Sequence, residues 1–365
     1  MKDLPNYFEA LTEFDQAREP SIPAERLESV RAASQKLHDD LMQQPNLQYL
    51  QSTALVRAPY PSKFAFYNAK ALPTPLVHIV NRVFLVQTQT AEGIKTLLLS
   101  PTHVEASRAT PYFARLEKSF GPFSKIMNKL LVPEYSTVEE VVAKAGLKPE
   151  DIDYISYDHL HTQDIRRWLG DAKSPGYFPN AKLLVMKEEW DACKGLTPQQ
   201  ADWYVKGGIG QVPEERIIQL NHSTKIGEGF ALVRTPGHTI GNHSFVMKTE
   251  KGVFVTSENG VGADCYAPEQ SNIPGLKSYA ERTGMEVVLN GNTLESALEQ
   301  YISMVSEKTI AGPSFINPKF PNVANSSEFT AYWLFPGYKP NFNVGDLLLG
   351  RLVQPAAVDL EEQAA

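Results

Sequence analysis

The sequence predicts an α/β protein with mixed sheets, and three observations carry that expectation. Across residues 152–308, short β-branched runs alternate with helix-favouring ones, the order in which strands and helices interleave in α/β folds. Ahead of them, residues 83–86 and 95–99 read as the arms of a hairpin around Glu92-Gly93, which adds antiparallel pairing. With 42% hydrophobic and 10% aromatic residues among 365, the chain can bury a full core. Its length fits about two domains, or one large domain with appended segments.

Residues 23–44 place Leu27, Val30, Ala33, Leu37 and Leu41 at spacings of three and four in a polar run, which predicts one amphipathic helix. Its apolar stripe needs a partner, either the following domain or a second copy across a dimer interface. After Ala58-Pro59-Tyr60-Pro61 the pattern turns to β, with runs at 76–80, 83–86 and 95–99. A helical segment over 136–146 then leads into a buried strand over 152–157. Further strands are predicted at 182–186, 216–220, 231–233, 244–247 and 253–256, with helices near 188–193, 199–206 and 294–308. Beyond Pro313 the chain is rich in Pro, Asn and Phe and is expected to wrap over the surface, with residues 361–365 frayed. The expected division is a helical extension over 1–75, a central domain over 76–312 and a wrapping C-terminal segment over 313–365.

Lys and Arg number 35 against 42 Asp and Glu, a net charge of −7, which argues against phosphate backbones and anionic membranes as partners. No stretch approaches the roughly 20 apolar residues that span a bilayer. The start, Met1-Lys2-Asp3-Leu4, does not read as a secretory signal. Two cysteines, Cys193 and Cys265, are too few for a disulfide scaffold or a CxxC zinc site. These features predict a reduced, cytoplasmic protein with no nucleic-acid or membrane partner, and a homodimer as an open possibility.

Three of the eight histidines fall where the chain should be leaving a strand. His159 and His161 lie in Tyr157-Asp158-His159-Leu160-His161-Thr162-Gln163-Asp164, directly after the strand over 152–157. His238 lies in the turn Thr235-Pro236-Gly237-His238-Thr239, after the strand at 231–233. In a tight loop, residues two apart can aim both imidazoles at one point, and a third imidazole from another strand end completes an open site for zinc or a similar transition metal. Such an ion lowers the pKa of bound water towards 7 and supplies hydroxide at neutral pH.

With these motifs the chain resembles the metallo-β-lactamase superfamily of metal-dependent hydrolases. The similarity runs over about residues 80–312. It comprises the opening hairpin, the strand before His-Leu-His, the segment Phe178-Pro179-Asn180-Ala181 ahead of a strand, Thr-Pro-Gly-His-Thr, and a strand leading to Thr256-Ser257-Glu258. The resemblance implies an αββα sandwich of two sheets between helices, with 76–312 as the catalytic domain. It also implies a metal held by His159, His161 and His238.

The departures from the family pattern fall on its second metal position. HxHxDH becomes His159-x-His161-x-Gln163-Asp164, so Gln163 stands for the family's Asp and Asp164 for its next His. Glu258 takes the place of the bridging Asp. No histidine follows His243, which leaves Asn292 or a polar residue in 312–317 where the family has its final His. Asp164 and Glu258, with Asp264 as a further candidate, would make an oxygen-rich second site that suits manganese or iron better than zinc. A single ion with Asp164 or Glu258 as general base fits equally well. For the intact three-histidine site the resemblance implies zinc, with one or two ions in all and iron or manganese as alternatives.

The implied function is hydrolysis, by metal-bound hydroxide, of an ester, lactone, amide, thioester or phosphoester of a small-molecule substrate. The alternatives are a non-haem iron redox enzyme on the same fold and a degenerate ligand-binding member. Asp164 also suits the N-cap of a helix starting at Ile165. Asp158 suits a carboxylate that orients a ligating imidazole. His243 reads as a packing residue, and the aromatics from Tyr332 to Phe335 as a covering layer or a pocket wall.

Overall fold

The computed structural model describes residues 4–119, 121–293 and 295–354. Its strands are β1 (Phe8–Ala10), β2 (Tyr49–Pro61), β3 (Leu76–Thr90), β4 (Gly93–Leu99), β5 (Tyr154–Ser156), β6 (Lys182–Met186), β7 (Ile217–Leu220), β8 (Thr224–Ile226), β9 (Phe230–Arg234), β10 (His243–Thr249), β11 (Gly252–Thr256), β12 (Ser327–Thr330) and β13 (Leu348–Gly350). They form two sheets. The larger runs β13-β2-β3-β4-β5-β6-β7, with β12 also paired to β3; the smaller runs β1-β8-β9-β10-β11. Strands β4 to β7 are parallel, while β2, β3 and β4 are antiparallel, so the sheet is mixed as the sequence predicts.

Period-two alternation explains how the layers assemble. Phe84, Val86, Leu97 and Leu99 of the larger sheet meet Phe230, Leu232, Phe245 and Phe254 of the smaller one in a single apolar cluster between the sheets. The intervening residues Val83, Leu85 and Leu98, like Val233, Val246 and Val255, point outward into a second cluster that helices cover. Helix Ala297–Ala311 lies on β10 and β11, and helix Pro23–Met42 packs on it in turn. Ser34 and Ser306 hydroxyls meet at 2.6 Å across that contact, beside the buried Val30 and Ile302.

The structure redraws several elements. The runs at 76–80 and 83–86 form one continuous strand, because Arg82, which breaks the apolar pattern, is buried against Glu328 and Asp346. Pro59 lies within β2 and Pro61 is its last residue. They lie at the end of β2 beyond the reach of β13, where only β3 pairs with it, so a missing N–H costs little. The helix near 199–206 shrinks to Pro198–Ala201. The one near 294–308 runs over Ala297–Ala311; Leu294 lies outside the described residues, as do residues 361–365. Besides its helix, the segment 1–75 supplies strands to both sheets. The segment after Pro313 returns β12 and β13 to the larger sheet. Among the described residues no helix is long and apolar enough to cross a membrane.

Candidate metal centre

His159 and His161 follow the C-terminal end of β5, a parallel strand flanked by β4 and β6, where side chains leave the sheet into an open crevice. The loop is held by its backbone. Asp158 C=O accepts from His243 N–H at 2.9 Å, and Thr162 N–H donates to Trp203 C=O at 2.7 Å. Thr162 adopts φ 62°, a left-handed conformation that a β-branched residue rarely takes, so the loop carries backbone strain beside His161.

His238 arrives from the smaller sheet, on the turn between β9 and β10. Gly237 has φ 151°, and a Cβ there would fall 2.2 Å from Gln300 Cα, so the turn needs glycine to lie against helix Ala297–Ala311. His238 N–H donates to Asn259 Oδ1 at 3.0 Å, and Thr293 Oγ donates to His238 C=O at 2.6 Å.

The three rings converge. Centroids lie 4.7 Å apart for His159–His161, 4.5 Å for His159–His238 and 5.0 Å for His161–His238, with exposures of 4%, 4% and 2%. His161 Nδ1 and His238 Nε2 are 3.2 Å apart. His159 Nε2 is buried without a hydrogen-bond partner. Burial, reinforced by the charge on His159, holds His161 and His238 far below the ordinary imidazole pKa, so both are neutral. Burial also disfavours charge on His159, but the carboxylates of Asp158 and Glu258 outweigh it and push the pKa up to about 9. Three buried nitrogens, one from each ring and all within 4.8 Å, fit a transition-metal ion.

Of the predicted carboxylates the structure brings Glu258 to the centre and leaves Asp164 engaged with Arg166. Glu258 Oε2 is 3.8 Å from His159 Nε2, while Oε1 accepts from Ser326 Oγ at 2.9 Å. Burial first, and then the Asp158 charge, raises the Glu258 pKa. Asp158 Oδ2 lies 3.3 Å from His159 Nδ1. Asp164 Oδ1 accepts from the backbone N–H of Arg166 at 3.1 Å and from its Nε at 2.9 Å, while Oδ2 pairs with the same guanidinium. Asp264 is also elsewhere, accepting from Ser271 Oγ and Asn341 N–H. Gln163 Nε2 donates to Thr102 Oγ at 3.1 Å, and Asn292 lines the cavity above the histidines. His243 packs behind the centre, with Nε2 3.2 Å from Ser156 Oγ.

Sequence reasoning missed Glu189. It is fully buried on helix Lys187–Lys194 and its carboxylate ties the two histidine loops together: Oε1 accepts from Leu160 N–H at 2.8 Å and Tyr204 OH at 3.0 Å, and Oε2 from Thr239 Oγ at 2.6 Å. On an otherwise charged helix, Lys-Glu-Glu-Trp-Asp, nothing distinguishes it from a solvated residue.

Among solved structures, a probable metal-dependent hydrolase from Staphylococcus aureus aligns over 85% of this chain and 100% of its own, with a TM-score of 0.52 at 14% identity. This is the metallo-β-lactamase fold. In sequence, an N-acyl homoserine lactonase from a Bacillus species is 30% identical over 118 residues, 32% of this chain and 42% of the relative. An N-acyl homoserine lactonase from Bacillus cereus is 29% identical over 122 residues, 33% of this chain and 43% of the relative. The chain therefore spans less than half the length of these curated relatives. No protein-family model matches it. On the metallo-β-lactamase fold, the two histidine loops stand at neighbouring strand ends of the two sheets, which explains why residues 77 positions apart meet.

Proposed function

We propose that the protein is a metal-dependent hydrolase acting on an ester or lactone that carries an apolar substituent. One observation carries this reading: the three converging imidazoles line a cavity of about 130 Å³ whose other walls include Val56, Ile79, Val104, Phe113, Leu116 and Val132. A polar reaction end beside an apolar enclosure is the form expected of a site for a small amphipathic substrate. The Bacillus relatives, named as lactonases, support an acyl-oxygen bond as the target.

Three imidazoles suit zinc, which when bound would polarise a carbonyl, bring water's pKa towards 7 and displace the proton that the neighbouring carboxylates favour on His159. The remaining work falls to the chain itself. His161 and His238 are held neutral by burial, as ligands must be. Asp158 Oδ2 lies 3.3 Å from Nδ1 of His159, an attraction that favours the ring orientation leaving Nε2 available to a metal. Glu258 accepts the proton of the attacking water. Ser326 holds Oε1 and leaves Oε2 for that role. Gln163, anchored on Thr102 at the cavity wall, orients the substrate.

A panel of esters and lactones graded in acyl length tests the reading. Hydrolysis should favour apolar acyl groups, vanish with a chelator and return with zinc. No turnover of any member by protein carrying its full metal complement would refute it.

A further inference from the structure

We infer that this chain builds a one-ion centre, three imidazoles with Glu258 beside them, and no site for a second ion. The inference rests on the proposed function only in taking the histidines to bind a metal. A second transition-metal ion next to the first would need about three or four protein donors of its own. Around the rings, the described residues offer Asp158, Gln163, Asp164 and Glu258 as candidates.

Two of these are engaged elsewhere. Both Asp164 oxygens face Arg166, one of them also capping its backbone N–H. An ion drawing Asp164 away would break a bidentate pair and leave that guanidinium without its carboxylate. Gln163 gives its amide N–H to Thr102, and an uncharged amide is a poor ligand for a transition metal.

Asp158 and Glu258 do lie with His159, their donor atoms within 4.8 Å of one another, and Asp158 Oδ2 is buried without a hydrogen-bond partner. The third member of that trio is already spent. His159 completes the first site through Nε2, and its Nδ1 edge is the one Asp158 approaches at 3.3 Å. To serve two ions the ring would have to ligate from both nitrogens, displacing the carboxylate that orients it. What remains is two carboxylates sharing the Ser326 hydroxyl, at 2.9 Å from Glu258 and 3.5 Å from Asp158. His243 cannot add an imidazole, because its Nε2 faces Ser156 on the far side of the loop. Glu258 is therefore left unshared between cations and free to take the proton of the attacking water.

Cobalt(II) titration of the metal-stripped full chain, followed by visible absorption and checked by elemental analysis, decides the matter. The expected result is one saturating phase ending at one equivalent, with the same end point in Glu258→Gln. An end point at two equivalents overturns the inference, whichever variant shows it. Failure to bind cobalt at all overturns both this inference and the proposed function. One equivalent bound, with no ester or lactone hydrolysed, refutes the reaction and leaves the one-ion centre standing.

Discussion

The two halves of the candidate centre are built on different terms. The imidazole half is fixed by backbone: His159 and His161 leave β5, His238 leaves the turn after β9, and Glu189 ties the two loops through Leu160, Tyr204 and Thr239. The carboxylate half is fixed by side-chain partners, and those partners divide it. Glu258, held by Ser326, stays beside the rings, whereas Asp164 is turned to Arg166 two residues on. The contrast shows that the imidazoles are placed by the backbone of the elements they leave, while each loop carboxylate is placed by the side chain it pairs with.

The largest effect should come from the imidazole half. The double change His159→Ala with His161→Ala is expected to reduce bound metal from its full complement to none, by elemental analysis of protein purified without added metal. Unchanged stoichiometry would break the comparison at its root.

Next is Glu258→Gln, which removes the proton acceptor and keeps the shape. Turnover should fall about 10²-fold with metal occupancy retained. The pH dependence has a definite sign: Glu258 must be ionised to accept a proton, so activity should be lost along an acid limb as pH falls and the carboxylate protonates. Burial with the Asp158 charge raises its pKa in the metal-free chain, and a bound cation would lower it. A wild-type limb that persists in the glutamine variant would assign it to another group.

A smaller change is expected at the tie between the loops. Glu189→Gln keeps its size but exchanges one acceptor oxygen for a donor amide, so one loop loses its anchor. Metal affinity should weaken by about 10- to 100-fold, the usual consequence of disturbing a group that positions ligands, with the metal-saturated rate much less affected. Chelator competition measures the first quantity and turnover at saturating zinc the second.

The smallest effect is predicted at Asp164. Asp164→Asn retains a cap on Arg166 N–H and loses only a partly exposed ion pair, so stability should change by less than about 1 kcal/mol. Metal content should not move. A drop in metal content on this substitution would return Asp164 to the ligand set and erase the division between the two carboxylates.

Much of this was legible in the sequence because the decisive features are local. His159, His161 and His238 each follow a run whose β pattern is plain, and β6 is found at the residues the pattern gives, Lys182–Met186. The continuous β3 was hidden because Arg82 looks like a surface residue, and its burial is compensated by Glu328 and Asp346, which lie far along the chain. The prolines of β2 read as a break because nothing local announces that the neighbouring edge is open. Glu189 and Asn259 were invisible as site residues for the same reason, since their partners Thr239 and His238 reach them only through the tertiary fold.

The placement of the outer strands has a consequence for how the protein keeps itself apart from its own copies. Residues near the two ends of the described chain supply the rims of the sheets: β1 lies against β8 on the smaller sheet, and β13 lies against the first residues of β2 on the larger one. Each covers a row of N–H and C=O groups that would otherwise be an open template for strand addition. Leu348 of β13 is 70% exposed, while Leu349 packs against the cluster between the sheets. Trimming either segment would leave the metal centre untouched and yet expose an adhesive rim, so shortened chains should be recognised first by concentration-dependent aggregation.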